Sequence, residues 1–218
     1  PFKESLDYPA DFIAEGLDQT RGWFYSLLVI ATALNKPVPF KNVIVNGLIL
    51  AEDGQKMSKS KNNYPEVSYI LDKFGTDAVR GYLVSSIAVN AVPLKFAEDV
   101  VGQCQKNFLL PLLSSLNFYT LANEPKTFSK ATILDKYILT ELDKLVKSQR
   151  SHYDEYQLQP LVLELQGFIE TLNNFYIRNS RKNLYTNIYS HNVLRECIMT
   201  VAKLMAPIFP FHAEHIWM

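Results

Sequence analysis

The sequence predicts a mixed α/β segment followed by an all-α one, and three observations carry that prediction. Near the start, an alternating apolar stretch, a helical apolar stripe and a nearly continuous apolar run succeed one another as strand, helix and strand, the unit of a parallel sheet. Beyond residue 96 the apolar positions recur at helical spacing throughout. Between the two, Ala91-Val92-Pro93-Leu94 interrupts both patterns, which sets the boundary near Asn90 to Lys95 and divides the chain into segments 1–95 and 96–218.

Residues 9–16 alternate and finish on Glu15 and Gly16, a strand that ends in a carboxylate and a glycine. Asp18 then opens a helix, placed to cap the free N–H groups of its first turn, and Leu27, Leu28, Ala31 and Leu34 give that helix its apolar spacing. Residues 42–50 have the length and composition of a strand buried on both faces. Directly behind this strand and the turn Glu52-Asp53-Gly54-Gln55 comes Lys56-Met57-Ser58-Lys59-Ser60. Lysine meets phosphate as a compact point charge, serine hydroxyls can donate further hydrogen bonds, and Gly54 lets the backbone turn tightly enough to gather them. No acid stands between Asp53 and Glu66, so Lys56, Lys59 and Lys61 form an uncompensated positive patch. A lysine-serine pentapeptide taken alone is more often a solvated basic turn. A loop directly beyond a strand end, however, is where open α/β sheets hold their ligands.

Residues 66–74 and 76–87 read as two short helices broken at Gly75. After the boundary, Val101, Cys104, Phe108, Leu112, Leu116 and Tyr119 form a helical stripe that Pro111 is expected to kink. Leu134, Ile138, Leu142, Leu145 and Val146 mark a second helix, with Thr132 and Asp135 spaced as a capping box. Pro160 stands where a first-turn proline is tolerated, ahead of Val162, Leu165, Phe168, Ile169, Leu172 and Phe175. Val193, Leu194, Cys197, Ile198, Val201 and Leu204 make a further helix that Pro207 stops. Amphipathic helices in succession argue for a bundle. Between Glu170 and Glu196 there is no acid, while Arg178, Arg181, Lys182 and Arg195 are interleaved with Tyr176, Tyr185 and Tyr189. Such a stretch can neutralise phosphates and stack on unpaired bases, as single-stranded RNA loops require. A solvated basic face with its tyrosines packed inward fits the same pattern.

Composition narrows the class. The 218 residues are 48% hydrophobic, enough for one or two cores, and Lys+Arg and Asp+Glu balance at 22 each, so global charge points to no partner. Cys104 and Cys197 lie far apart among apolar neighbours, the pattern of buried free thiols in a reducing compartment. No signal peptide, membrane-length apolar run, internal repeat or low-complexity segment is present, and the cytoplasm is the expected location.

Glu15-Gly16-Leu17-Asp18-Gln19-Thr20-Arg21-Gly22-Trp23-Phe24 followed by Lys56-Met57-Ser58-Lys59-Ser60 resembles the class I aminoacyl-tRNA synthetases, and within them the isoleucine-specific branch. The resemblance implies the C-terminal half of a Rossmann-type catalytic domain over residues 1–95 and a helical anticodon-binding domain, cut short at its C-terminus, over 96–218. It implies ATP, magnesium, isoleucine and tRNA(Ile) as substrates and partners, with no protein-bound metal site and no membrane. Lys56, Ser58 and Lys59 match the catalytic signature, Lys59 foremost, because charge grows on the departing pyrophosphate. Lys56 and Lys59, with the backbone of Gly47, Leu48 and Ile49, match the ATP site. Glu15, Gly16, Asp18, Gln19 and Trp23 match the residues around the aminoacyl-adenylate. The tRNA role of the bundle, with Arg178, Arg181 and Lys182 as contacts, likewise comes from the resemblance. By their own chemistry, Trp23 also fits an ordinary core aromatic and Asp18 an ordinary cap.

The chain departs from that family in two respects. Asn62-Asn63-Tyr64-Pro65 stands where many members carry a glycine before the asparagine. No His-x-Gly-His sequence occurs, the nearest pair being His212-Ala-Glu-His215, and there is no long insertion that could edit mischarged products. With Pro1 no natural start, the expectation is a fragment of a longer enzyme, inactive by itself. A non-catalytic RNA-binding module derived from such a synthetase, and the related valine enzyme, are the alternatives.

Overall fold

Alternating residues near the start form β1 (Ala10–Gly16), the helical stripe forms α1 (Trp23–Ala33), and β2 (Phe40–Asn46) returns parallel to β1. This is the expected strand–helix–strand crossover. In this computed structural model the described residues are 8–122, 125, 127 and 130–218. They fall into two compact units, the first Pro1–Tyr64 with Ser86–Phe96 and the second Pro65–Ser85 with Ala97–Met218.

In the first unit, Ile13, Phe24 and Phe40 are buried together, with Leu27 and Val45 against them. The expected single strand over 42–50 is divided. Gly47 leaves the β1–β2 pair, donates its N–H to Ala88 O at 2.7 Å, and passes so close to Val92 that an added β-carbon would lie 2.0 Å from Val92 O. Only a glycine permits that approach. β3 (Ile49–Leu50) then pairs in parallel with β4 (Leu94–Lys95), on which Leu94 N and Phe96 N bond Leu48 O and Leu50 O. Nor is β2 buried on both faces: Phe40 is buried but Val43 is 50% exposed, because β1 is its only paired neighbour among the described residues.

The second unit is helical. α2 (Val67–Phe74) and α3 (Thr76–Ser85) meet at Gly75, whose φ of +81° suits glycine. α4 (Glu98–Cys104) runs into α5 (Leu110–Leu121) through a π turn, Gln105–Leu109, where Leu110 N bonds Gln105 O. The irregularity expected from Pro111 therefore takes the form of a widened turn just before it. α6 (Ile133–Asp154) begins with the capping box: Thr132 Oγ1 accepts from Asp135 N, and Asp135 Oδ2 accepts from Thr132 N. α7 (Leu158–Thr171) continues through a second π turn, Leu172–Ile177, into α8 (Arg178–Thr186), followed by α9 (Ile188–Met205) and α10 (Pro210–Trp217). Leu161, Leu165, Ile169, Leu172, Leu194 and Val201 are fully buried, as the helical stripes require, whereas Phe175 is 43% exposed.

Residues 65–85 join the helical unit for identifiable reasons. From α3, Arg80 donates to Ile208 O at 2.7 Å and Pro207 O at 2.9 Å, while Asp77 Oδ2 accepts from His212 N at 2.8 Å, capping α10 from a distant part of the chain. His212 Nδ1 is also 2.7 Å from Asp77 Oδ2, which gives this histidine a structural task. Gly81 lets Phe209 and Cys104 approach, since a β-carbon there would stand 2.4 Å from the Phe209 ring. Cys104 and Cys197 are buried free thiols, and burial pushes them up to about 11 and about 12 respectively. Among the described residues no helix is long and apolar enough to cross a membrane.

Candidate functional site

The parallel pairing of β1 with β2 places Glu15 opposite Val45 and Gly16 opposite Asn46, so the acidic turn after β1 and the Gly47 crossover leave from the same, C-terminal end of the strands. That end is the ligand-binding edge of open α/β sheets. The chain folds into the tight 3₁₀ turn Leu17–Arg21 before α1 starts. Asp18 is not the helix cap it resembles. Gln19 Oε1 accepts from Trp23 N at 3.0 Å, and Gln19 Nε2 donates to Asp18 Oδ2 at 2.9 Å. The amide has a donor side and an acceptor side and so can serve the helix and the carboxylate at once, whereas a carboxylate only accepts. Asp18 folds back over Gly16, where a β-carbon would lie 2.8 Å from its Oδ1, and Glu15 Oε1 accepts from Gly16 N at 3.1 Å. Trp23 is 50% exposed, so its ring is not a core aromatic of this unit.

Beyond β3 the turn through Gly54 (φ +81°) is closed by Gly54 N to Ala51 O at 2.8 Å and Ala51 N to Gln55 O at 2.9 Å. The 56–60 loop that follows is laced from within. Asn63 reaches back, accepting from Ser58 N at 2.9 Å and donating to Lys56 O at 3.2 Å. Ser58 Oγ lies 2.9 Å from Ser60 Oγ and accepts from Lys61 N at 3.2 Å, and Lys61 Nζ donates to Gln55 Oε1 at 2.8 Å. Lys56 is exposed, and Lys59 opens the 3₁₀ turn Lys59–Lys61; the role expected of the Lys59 side chain lies outside the described side chains. Asn62, in the place where a glycine is common, has φ +46°. Asparagine is among the few non-glycine residues at home there, so the loop keeps its course without the glycine.

Glu15, Gly16, Asp18, Gln19, Trp23, Gly47, Leu48, Ile49, Lys56, Ser58 and Lys59 thus all belong to one compact unit. Its chemistry is carboxylates and an amide at a strand end, an open aromatic ring, a close-packed glycine backbone and a cationic loop. Among the described residues, no group of three or more His, Cys, Asp or Glu side chains could hold a metal ion.

The basic stretch belongs to the other unit. Arg178, Arg181 and Lys182 are exposed on α8, whose buried positions are Ser180 and Leu184. Arg181 lies over the Phe118 ring at 5.9 Å, and Phe118 meets Tyr185 edge-on with centroids 5.5 Å apart. Tyr185 is 45% exposed. Tyr176, by contrast, cannot stack on a base. It is fully buried and donates to Asp135 Oδ1 at 2.7 Å; burial, then the adjoining carboxylate, hold its phenol far above the usual range. The Asp135 network and the Gln19 cap were not visible in sequence, because both depend on which residues the fold brings together; the amide beside Asp18 is the only local hint of the latter.

Comparison with known proteins gives consistent findings. Residues 1–95 match the family model described as tRNA synthetases class I (I, L, M and V), and residues 135–218 match the anticodon-binding domain of tRNA ligase. The chain is 45% identical over 223 residues to an isoleucine–tRNA ligase of Chlamydia muridarum, covering 96% of this chain and 22% of that protein. Identity is 46% over 220 residues (95% and 21%) with the ligase of Bdellovibrio bacteriovorus, and 42% over 231 residues (97% and 20%) with the cytoplasmic ligase of Caenorhabditis elegans. The chain therefore spans about a fifth of the length of these relatives. In fold it is similar to Mycobacterium tuberculosis methionyl-tRNA synthetase bound by methionyl-adenylate, with a TM-score of 0.77 at 19% identity over 96% of this chain and 44% of that one. It is also similar to a LeuRS–tRNA–LeuAMS ternary complex from Agrobacterium radiobacter, with a TM-score of 0.74 at 17% identity over 96% and 27%.

Proposed function

The chain belongs to the class I tRNA synthetases of the isoleucine, leucine, methionine and valine group, and from that premise we propose that it works as part of an isoleucine–tRNA ligase. What carries this reading is the joint presence, in one compact unit, of the 15–23 turn and the 56–60 loop, in a chain at least 42% identical to isoleucine–tRNA ligases over nearly its whole length. Residues 1–95 are assigned to the catalytic domain and 96–218 to the anticodon-binding domain, and the cytoplasm to the working compartment.

In the first step, a carboxylate oxygen of isoleucine bonds to the α-phosphorus of ATP while the bond from that phosphorus to the pyrophosphate oxygen breaks, the electron pair leaving on pyrophosphate. Lys59, with Lys56, is assigned to the negative charge that grows there, because cations held in advance on an ordered loop need no reorganisation as the charge moves. Ser58 acts through the loop, its hydroxyl being engaged with Ser60 and the Lys61 amide. Magnesium enters with the nucleotide, held chiefly by its phosphates. Glu15 and Asp18 suit the ribose hydroxyls and the ammonium of isoleucine, Gln19 holds Asp18 in place, and the Gly47, Leu48 and Ile49 backbone suits adenine. The half-exposed Trp23 ring suits the isoleucine side chain. In the second step a hydroxyl of tRNA(Ile), held in part through Arg178, Arg181 and Lys182, bonds to the isoleucyl carbonyl carbon while the bond from that carbon to the adenylate oxygen breaks and AMP leaves.

The test is pyrophosphate exchange into ATP by the complete protein with isoleucine, valine, leucine or methionine supplied singly. Isoleucine should support exchange best by kcat/KM. A preference for valine would reassign the amino acid, and no exchange with any of the four would favour a non-catalytic RNA-binding module.

A further inference from the structure

The geometry points to Lys95 as a further cation of the 56–60 loop, a positioning residue that orders the loop against the departing phosphates of the nucleotide. This rests on the nucleotide-site reading above. Lys95 closes β4 and pairs with Leu50, the residue that closes β3 and leads into the loop. Phe96 N to Leu50 O and Leu94 N to Leu48 O, each 2.9 Å, fix the Lys95 backbone beside the strand from which the loop departs. From there its side chain crosses the Gly54 turn: a β-carbon at residue 54 would lie 3.0 Å from Lys95 Cε and 3.4 Å from Nζ. Glycine at 54 thus meets two demands, the φ of +81° and the room for the lysine stem.

The loop returns across this base, since Lys56 bridges antiparallel to Leu50, the same residue that Lys95 pairs with. The Lys95 and Lys56 backbones therefore flank one strand end, and the Lys95 ammonium stands at the root of the loop. Lys61, the last cation of the patch, is turned back onto Gln55. A positive charge at the root, carried by a paired strand, attracts phosphates held by the loop toward the sheet, and through those phosphates it orders the loop that holds them. The acids of the turn, Glu52 and Asp53, supply the competing role of a purely local ion partner, which the experiment separates.

In the complete protein, Lys95→Met should lower kcat for isoleucine-dependent pyrophosphate exchange on the order of 10²-fold, the effect of misplacing a group that does not itself react. The KM for isoleucine and the Tm should stay unchanged, and Lys95→Arg should restore most of the rate. Unchanged exchange in Lys95→Met overturns the assignment, as does a loss matched by a fall in Tm and not rescued by arginine. Absence of exchange in the unsubstituted protein would instead sink the nucleotide-site reading, and this inference with it.

Discussion

Asp135 is fully buried with a carboxylate because donors meet it on every side: Thr132 N and Oγ1 at 2.8 Å, Tyr176 Oη at 2.7 Å and Ser190 Oγ at 2.9 Å. A helix cap has become the polar centre of the bundle. Alanine there would strand the Ser190 hydroxyl and leave the Tyr176 hydroxyl only its longer bond to Ser190 O at 3.2 Å, and an orphaned buried group costs about 1–3 kcal/mol on top of the lost charge-assisted bonds. Asp135→Ala should therefore destabilise the chain by roughly 3 kcal/mol in urea titration, with Asp135→Asn losing less. A loss under about 1 kcal/mol in the alanine variant would show the network to be dispensable. At this scale the sequence is legible where partners are close in it. Thr132 and Asp135 announced their capping box through three-residue spacing, whereas Tyr176 read as a base-stacking candidate because its partner lies 41 residues away. Asp18 and Gln19 teach the same lesson in miniature: residue preference favours the aspartate as cap, and the geometry of the turn hands the task to its neighbour.

Elements were legible where one period ran uninterrupted, as in β1, α1, α6 and α9. They were obscured where a tertiary contact breaks the period. The apolar run over 42–50 gives no sign that Gly47 must leave one strand pair to approach Val92, and the π turns before α5 and α8 look in sequence like ordinary helix. On α8, Arg178, Arg181 and Lys182 share an exposed face because they recur at three- and four-residue spacing. If that face meets RNA phosphates, Arg178→Ala/Arg181→Ala should flatten the plot of log K against log salt for tRNA binding by this chain, by roughly 0.7 for each single-strand phosphate that is no longer neutralised. Lys56→Ala/Lys59→Ala should leave the slope nearly as it was. Equal losses in both variants would mean non-specific attraction, and a loss confined to the lysine variant would move the RNA surface to the 56–60 loop.

For the molecule as a whole, the chain's equal numbers of acids and bases conceal local asymmetry: a basic loop in one unit and a basic helix face in the other. No acid stands between Asp53 and Glu66 or between Glu170 and Glu196, so within each stretch the basic residues are uninterrupted by acids. The grouping of residues 65–85 with the helices was not legible, since it depends on Asp77, Arg80 and Gly81 meeting a segment well over a hundred residues later. If the 56–60 loop stabilises charge on departing pyrophosphate as proposed, Lys59→Ala in the complete protein will show it in isoleucine-dependent pyrophosphate exchange. Removing one preorganised charge donor should lower kcat about 10²- to 10³-fold with the KM for isoleucine nearly unchanged. A raised isoleucine KM at undiminished kcat would instead make Lys59 a ground-state binder of the amino acid and remove it from the departing phosphates.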